Sequence, residues 1–213
     1  MTKSFSKRLL LLLVAAAVSS TVAGPAVAAD TGKMDASQLR VDMRKLWEDH
    51  ITWTRQWIVS FAANLPDEDA AAGRLMQNQV DIGNAIKPFY GDEAGTKLTG
   101  LLKEHINGAV ELVTAAKAGD AAKIEAAKKS WYENGDQIAT FLSGANPKNW
   151  PLADMKNGMK MHLDTTLQEA QDRLGGKFAE DIEDYDKVKE HILALADTLT
   201  KGIVAQHPNR FTS

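Results

Sequence analysis

Apolar residues recur every three or four positions along most of the chain, and no stretch alternates convincingly with period two. This spacing is typical of amphipathic α-helices, because it places the apolar side chains on one face. Short stretches rich in glycine, proline, asparagine and aspartate interrupt the pattern and are typical of helix ends. The pattern predicts six helices, at 36–64, 68–86, 93–118, 120–143, 151–174 and 178–205.

The connections between these helices are short, and short connections make successive long helices antiparallel. We therefore predict an all-α fold, an up-and-down antiparallel bundle of four to five long helices plus a shorter crossing helix at 68–86. That shorter helix is unusually polar for a core helix, since it carries Asn78, Gln79, Asp81 and Asn84. It is interpreted as a solvated crossover or, alternatively, as a lid.

The first 28 residues have the three-part layout of a secretory signal peptide. Three basic residues precede an apolar run at 9–18, and small residues end the segment at 26–28. The apolar run is shorter than the roughly 20 residues that a membrane span needs, and no later segment approaches that length. We expect residues 29–213 to form a single domain that is periplasmic or extracellular, without stable membrane insertion.

Charge and cysteine content narrow the function classes. Removal of the predicted signal peptide moves the formal net charge from −3 to −6, because the segment carries three basic and no acidic residues. Nucleic acid is therefore not an expected partner, since phosphate binding requires a clustered positive surface. The chain contains no cysteine, which excludes disulfides, thiolate metal ligands and cysteine nucleophiles.

Four histidines occur in similar local sequences, LWEDHITW, LLKEHING, GMKMHLDT and KVKEHILA. Each lies about 11 to 14 residues from one end of its helix, so an antiparallel bundle brings all four to one layer at its waist. They align with apolar residues on their helices, which predicts that they point inward. Neutral imidazoles that converge are typical of a metal site. The predicted ligands are His50, His105, His162 and His191.

Polar neighbours of these histidines are candidates for orienting them. Asp49, Glu104 and Glu190 each precede one histidine and suit either hydrogen bonding to an imidazole of a neighbouring helix or plain surface solvation. In the helix at 120–143, Asn134 or Asp136 can bond to a ligand histidine or lie exposed.

The ligand spacings of di-iron and haemerythrin-like bundles are missing around these histidines. Instead, Met155 and Met159 precede His162 by seven and three residues, and they are predicted auxiliary ligands, although methionine at this spacing is more commonly core filler. Thioether and imidazole together favour copper where thiolates are absent. Copper is therefore the first candidate, ahead of zinc held by imidazoles alone and of haem between two facing histidines.

Two blocks, LWEDHITWTR and RLMQNQVDIGNAIKPFYG, resemble blocks in a group of uncharacterised bacterial exported helical proteins. The likeness extends over most of residues 29–213. The resemblance implies an exported helical protein and brings no known activity with it.

The leading functional hypothesis is an exported helical bundle that binds a transition metal for storage, delivery or sensing. The alternative is a metal-free binding or scaffold module whose histidines form a buried network. An enzyme is the third hypothesis, because the sequence lacks a nucleophile elbow, a phosphate-binding glycine loop and a dinucleotide-binding fingerprint. The sequence identifies no protein partner.

Overall fold

The computed structural model describes residues 32–212, and the predicted signal peptide lies outside them. The described residues contain no β-strand, only one isolated bridge between Met34 and Phe211. The prediction of an all-α bundle is confirmed. The elements are α1 (Ala36–Ala63), α2 (Glu68–Ala118), α3 (Ala121–Ala145), α4 (Leu152–Leu174), α5 (Phe178–Gln206) and a short 3-10 helix (Pro208–Arg210).

Local capping chemistry explains where several helices begin and end. The carboxylates of Asp35 and Asp120 accept hydrogen bonds from backbone N–H groups in the first turns of α1 and α3. α1 ends where Asn64 takes a left-handed conformation (φ 51°), and α2 ends in the same way at Gly119 (φ 69°). These ends fall within a residue or two of the predicted ones.

The chain reverses within α2 at Gly91, which has a φ of 85° that favours glycine. The two halves, 68–90 and 92–118, pack closely where neither side has a side chain. A Cβ atom on Gly83 would lie only 2.6 Å from the backbone oxygen of Gly95. The prediction of two separate helices therefore captures this reversal, although the helical hydrogen bonding runs up to the turn on both sides.

Contacts between helices show that successive helices are antiparallel. Along α1 and α5, Arg40 pairs with Asp197, whereas Arg55, later in α1, pairs with Asp181, earlier in α5. α5 also closes the ring of helices against α1. Helices that follow one another along the chain show the same reversed order. The contacts that show it are Leu46–Asn78 and Gln56–Asp67 for α1 and α2, Leu101–Asn134 and His105–Trp131 for α2 and α3, Tyr132–Asp164 and Asp136–Lys156 for α3 and α4, and Gly158–His191 and Arg173–Asp181 for α4 and α5.

The main hydrophobic core takes residues from all five helices. A smaller second cluster consists of Trp57, Ile58, Ala71, Val113 and Ala170. None of the described helices combines the length and the apolar character needed to cross a bilayer.

The segment 68–86 belongs to the core. It buries Leu75 and Ile82 together with two polar residues, Asn78 and Gln79. These amides are tolerated inside because the Asn78 side chain donates to Leu46 O at 2.9 Å and that of Gln79 to Leu75 O at 2.7 Å. Both interpretations of this segment, as a solvated crossover and as a lid, are therefore replaced by that of a core helix.

A buried ion network ties α1, α4 and α5 together at one end of the bundle. The guanidinium of Arg55 binds both carboxylate oxygens of Asp181, at 2.8 and 3.0 Å, and Glu169 Oε1 at 2.7 Å. Both carboxylates are almost fully buried. Burial raises the pKa of Glu169 to about 7, and the positive charge of Arg55 opposes this rise. Arg55 is therefore the main partner that keeps two buried acids compatible with the fold.

The variant Arg55→Met should lower the free energy of unfolding by about 3–5 kcal/mol. It leaves the buried Glu169 without its cation and leaves Asp181 with only Arg173, at 3.3 Å. Urea denaturation at pH 7.5 measures this difference. The control is Arg40→Met, which breaks an exposed pair with Asp197 and should leave the midpoint almost unchanged. Equal effects of the two substitutions would contradict the central role of the buried network.

Candidate metal centre

Three of the four predicted ligands meet at the waist of the bundle. His50 on α1, His105 on α2 and His162 on α4 each offer a ring nitrogen, and these three nitrogens lie within 4.8 Å of one another. The ring centroids are 5.6 to 6.3 Å apart, and all three side chains are buried. We call these three residues the His triad. They lie in one layer, as their equal distances from the helix ends predict.

The directions of the helices explain this common level. α1 and the 92–118 half of α2 run the same way, since Phe61, eleven residues after His50, contacts Lys117, twelve residues after His105. α4 shares this direction because both α1 and α4 are antiparallel to α5. Each triad histidine also has a buried apolar residue three positions earlier, which orients its helix face toward the core. These residues are Trp47, Leu102 and Met159.

Two tryptophans pack against two of the triad rings. Trp131 stacks on the ring of His105 at 5.3 Å, and its Nε1 donates to His105 O at 3.0 Å. Trp47 meets the ring of His50 edge-on at 5.8 Å. These contacts restrict large rotations of the His105 and His50 rings.

The amide of Gln79 contacts the triad directly. Gln79 Nε2 donates to Leu75 O at 2.7 Å, which fixes the orientation of the amide because a carbonyl only accepts. The same nitrogen lies 3.3 Å from His50 Nδ1 and 3.2 Å from Asn78 Oδ1. His50 Nδ1 therefore faces an N–H donor, while Gln79 Oε1 makes no hydrogen bond within residues 32–212.

Buried polar atoms without hydrogen-bond partners concentrate at this layer. Within the described part of the chain seven such side-chain atoms occur, and six belong to the His triad or to residues beside it. Each unsatisfied group costs about 1–3 kcal/mol. Their concentration marks this layer as one where an ion or a water molecule would find polar partners. The six atoms are Trp47 Nε1, Gln79 Oε1, His105 Nδ1, Asn134 Oδ1, His162 Nδ1 and Thr166 Oγ1.

The triad imidazoles are neutral. Burial lowers the pKa of His50 to about 4, and the amides of Gln79 and Asn78 oppose this change. Burial, together with the neighbouring charge of His50, lowers the pKa of His105 to about 3. The pKa of His162 falls well below its ordinary value, through burial and the charges of the other histidines. Neutral rings are the form that binds metal ions, as the sequence analysis expects.

His191 lies beside the triad but is not brought into it. Its ring is half-buried, and its Nε2 donates to Gly158 O at 2.9 Å, one turn before His162. Because Nε2 carries the proton of this hydrogen bond, only Nδ1 of His191 can bind another partner. Met155 and Met159, both on α4, are buried in the main hydrophobic core of the bundle, where they pack as apolar side chains.

The acids that precede the histidines lie outside the triad. Asp49 pairs with Arg74 at 3.5 Å, and Glu104 and Glu190 are exposed, which matches the surface-solvation alternative. Asp136 is also at the surface, where it pairs with Lys156.

Two residues of this site, Gln79 and Thr166, were not predicted from the sequence, and Asn134 was one of two alternatives. Asn134 is buried beside His105, where its amide opposes the lowering of the His105 pKa. The feature of the sequence that could have indicated Gln79 is the group of polar residues at core spacing in 68–86. Thr166, one turn after His162, carried no comparable signal.

A small cavity lies one helical turn beyond the triad. Thr54, Ala109 and Thr166, each four residues after a triad histidine, contribute to its largely apolar lining. Its volume is about 20 Å³, and a water molecule needs about 10–15 Å³. This cavity can therefore hold a water molecule, whereas an organic substrate does not fit in it in this conformation.

Comparison with known proteins adds no analogy: no family model, curated protein or solved structure matches this chain.

The metal-free protein should lose stability as the pH falls from about 6.5 to about 4. The pKa values of His50 and His105 are lower in the folded state, so the unfolded state binds more protons in this range. Each such histidine contributes a slope of about 1.4 kcal/mol per pH unit. Glu169, with its pKa raised to about 7, contributes a slope of opposite sign.

The comparison is therefore made between the wild type and His105→Leu, both of which keep Glu169. Urea denaturation between pH 4.5 and 6.5 should give a shallower pH dependence for the variant, by about 1.4 kcal/mol per pH unit. The same slope in both proteins would mean that His105 is not a buried neutral group.

Proposed function

We propose that this protein is an exported helical bundle that binds one transition-metal ion through His50, His105 and His162, for storage, delivery or sensing of the metal. The observation that carries the proposal is the meeting of three buried, neutral imidazole nitrogens within 4.8 Å. With metal–nitrogen bonds of about 2.0–2.1 Å, three ligand nitrogens lie about 3.3–3.6 Å apart. Small rotations of the rings bring the triad to that spacing.

The groups around the triad fit a bound metal. A ligand imidazole carries its proton on the nitrogen that does not bind the metal and donates it to an acceptor. Asn134 Oδ1 is an unpartnered acceptor beside His105. Thr166 Oγ1, also unpartnered and one helical turn after His162, is the candidate acceptor for that ring. His50 faces the nitrogen of Gln79, so Gln79 Oε1 becomes its acceptor only if the bond to Leu75 O breaks and the amide turns.

Copper is the metal that we propose first. Imidazole nitrogens bind copper more tightly than the other divalent first-row metals, and three imidazoles without a thiolate suit either copper or zinc. Met159, one turn before His162, and Met155, one turn further, are auxiliary thioether candidates that favour Cu(I). His191 is a fourth candidate through Nδ1. Zinc is the second choice, and haem the third, since the triad rings contact one another instead of flanking a flat slot.

The proposal of export is supported only by the three-part pattern of residues 1–28, which is typical of a signal peptide. A periplasmic or extracellular location would suit a copper site without cysteine, because thiols are easily oxidised there.

A metal-free histidine network is the second candidate. The contact that favours it is Gln79 Nε2 at 3.3 Å from His50 Nδ1, since that ring nitrogen already faces a donor. The two functions differ in their response to metal. A bound ion raises the free energy of unfolding by about 2.7 kcal/mol at a free concentration one hundred times its Kd, whereas a bare network does not respond.

The protein, produced without a polyhistidine tag, should retain one copper or zinc ion per chain after equilibration and desalting. Elemental analysis measures the ratio, with Cu(I), Cu(II) and Zn(II) tested separately. The variant His105→Leu/His162→Leu should lose the ion, because it removes two of three ligands. The control is His207→Gln, which removes a histidine outside the triad and should leave the ratio at one.

A wild type that retains none of these ions, and whose melting temperature does not change when they are added, would contradict the metal site and favour the network. Retention of metal by the double variant would place the site elsewhere in the chain.

A further inference from the structure

A groove lies on the surface directly outside His105. α2 and α3 form its walls, and its volume is about 250 Å³. Glu104 and Glu133, both exposed, stand at its mouth, and Trp131 and Asn134 form its floor. The absence of a side chain at Gly108 opens the floor, since a Cβ atom there would lie 3.1 Å from Trp131 Cδ1.

The floor of this groove is a single layer of side chains in contact with the triad. Trp131 stacks on the ring of His105 from the groove side. Asn134 is 8% exposed, and its Nδ2 donates to Leu101 O at 3.1 Å. This bond fixes the amide, and Asn134 Oδ1 is left without a hydrogen bond beside His105, whose Nδ1 also lacks one within residues 32–212. One amide oxygen thus lies between the groove and the first ligand.

The mouth of the groove carries negative charge that is only weakly neutralised. Glu104 has no ion pair among the described residues, and Glu133 pairs only with the exposed Lys129, at 3.9 Å. Carboxylates that line a groove concentrate cations there and raise their association rates. An ion that moves inward from the mouth would meet the carboxylates first, then Asn134 Oδ1 and then the imidazole of His105.

We propose that this groove is the route by which a hydrated transition-metal cation reaches the His triad. The carboxylates of Glu104 and Glu133 collect the ion, and Asn134 Oδ1 coordinates it in passage to His105. The proposal rests on the proposed function, because it requires that the triad binds metal. It assigns to Glu104 and Glu133 an effect on the rate of metal binding and not on its strength.

The first test compares two double variants with the same change in net charge. Glu104→Gln/Glu133→Gln alters the groove, and Glu93→Gln/Glu183→Gln alters exposed acids elsewhere. Stopped-flow measurements with Co²⁺ follow metal absorbance, and those with Cu²⁺ follow quenching of tryptophan fluorescence. At low salt, the groove variant should take up metal about three- to tenfold more slowly than the control. Its equilibrium Kd should stay within about twofold, since release through the same route slows as well.

A second pair of variants adds a repelling charge at the rim. Ser130 is exposed and lines the groove, so Ser130→Lys should slow uptake, whereas Ser130→Gln, of similar length, should not. High salt should reduce both the slowing by Ser130→Lys and the slowing by the double variant.

The outcomes separate the two proposals. Wild-type binding with uptake rates that are equal in the groove variant and its control would overturn the route and leave the metal site intact. A groove variant with an unchanged rate and a weaker Kd would also overturn it, because the acids would then act as ligands. A wild type that binds neither Co²⁺ nor Cu²⁺ would overturn the metal site and the route together.

Discussion

Three imidazoles held neutral in one buried layer are the constraint on which the waist of this bundle depends. A charged ring there would be unstable, because burial disfavours the imidazolium ion, and a second charged ring beside it would repel it. A neutral ring still needs partners for both nitrogens, yet His105 Nδ1 and His162 Nδ1 find none within residues 32–212. An ion that binds one nitrogen of each ring would resolve both requirements, since it supplies a missing partner and favours the neutral ring.

The fold satisfies this constraint through the directions of its helices. The reversal at Gly91 turns the second half of α2 parallel to α1, so that His50 and His105 come to one level. α4 brings His162 to the same level because it runs antiparallel to α5. The pair of Arg55 with Asp181 fixes the register of α1 against α5. A slip of one helix by one turn would move its histidine about 5.4 Å out of the layer.

The sequence predicted the features that depend on distance along a helix. The positions of the helices, apart from the joining of 68–86 and 93–118 in α2, and the common level of the triad follow from periodicity and from residue counts to the nearest break. Features that depend on side-chain direction across the bundle were not predictable in this way. His191 sits at nearly the right height, but its ring bonds to Gly158 O. Gln79 looked like a solvated residue, but its helix packs against α1 so that the amide lies beside His50, where it donates to Leu75 O of its own helix. Packing between helices decides both outcomes.

X-ray absorption spectroscopy at the metal K edge of the copper- or zinc-loaded protein tests most directly whether three histidines bind the ion. We expect three imidazole nitrogens at about 2.0 Å from the metal. The outer-shell scattering of their rings would identify them as histidines. A first shell of oxygens, or one with at most a single imidazole, would contradict the assignment of His50, His105 and His162 as the ligands.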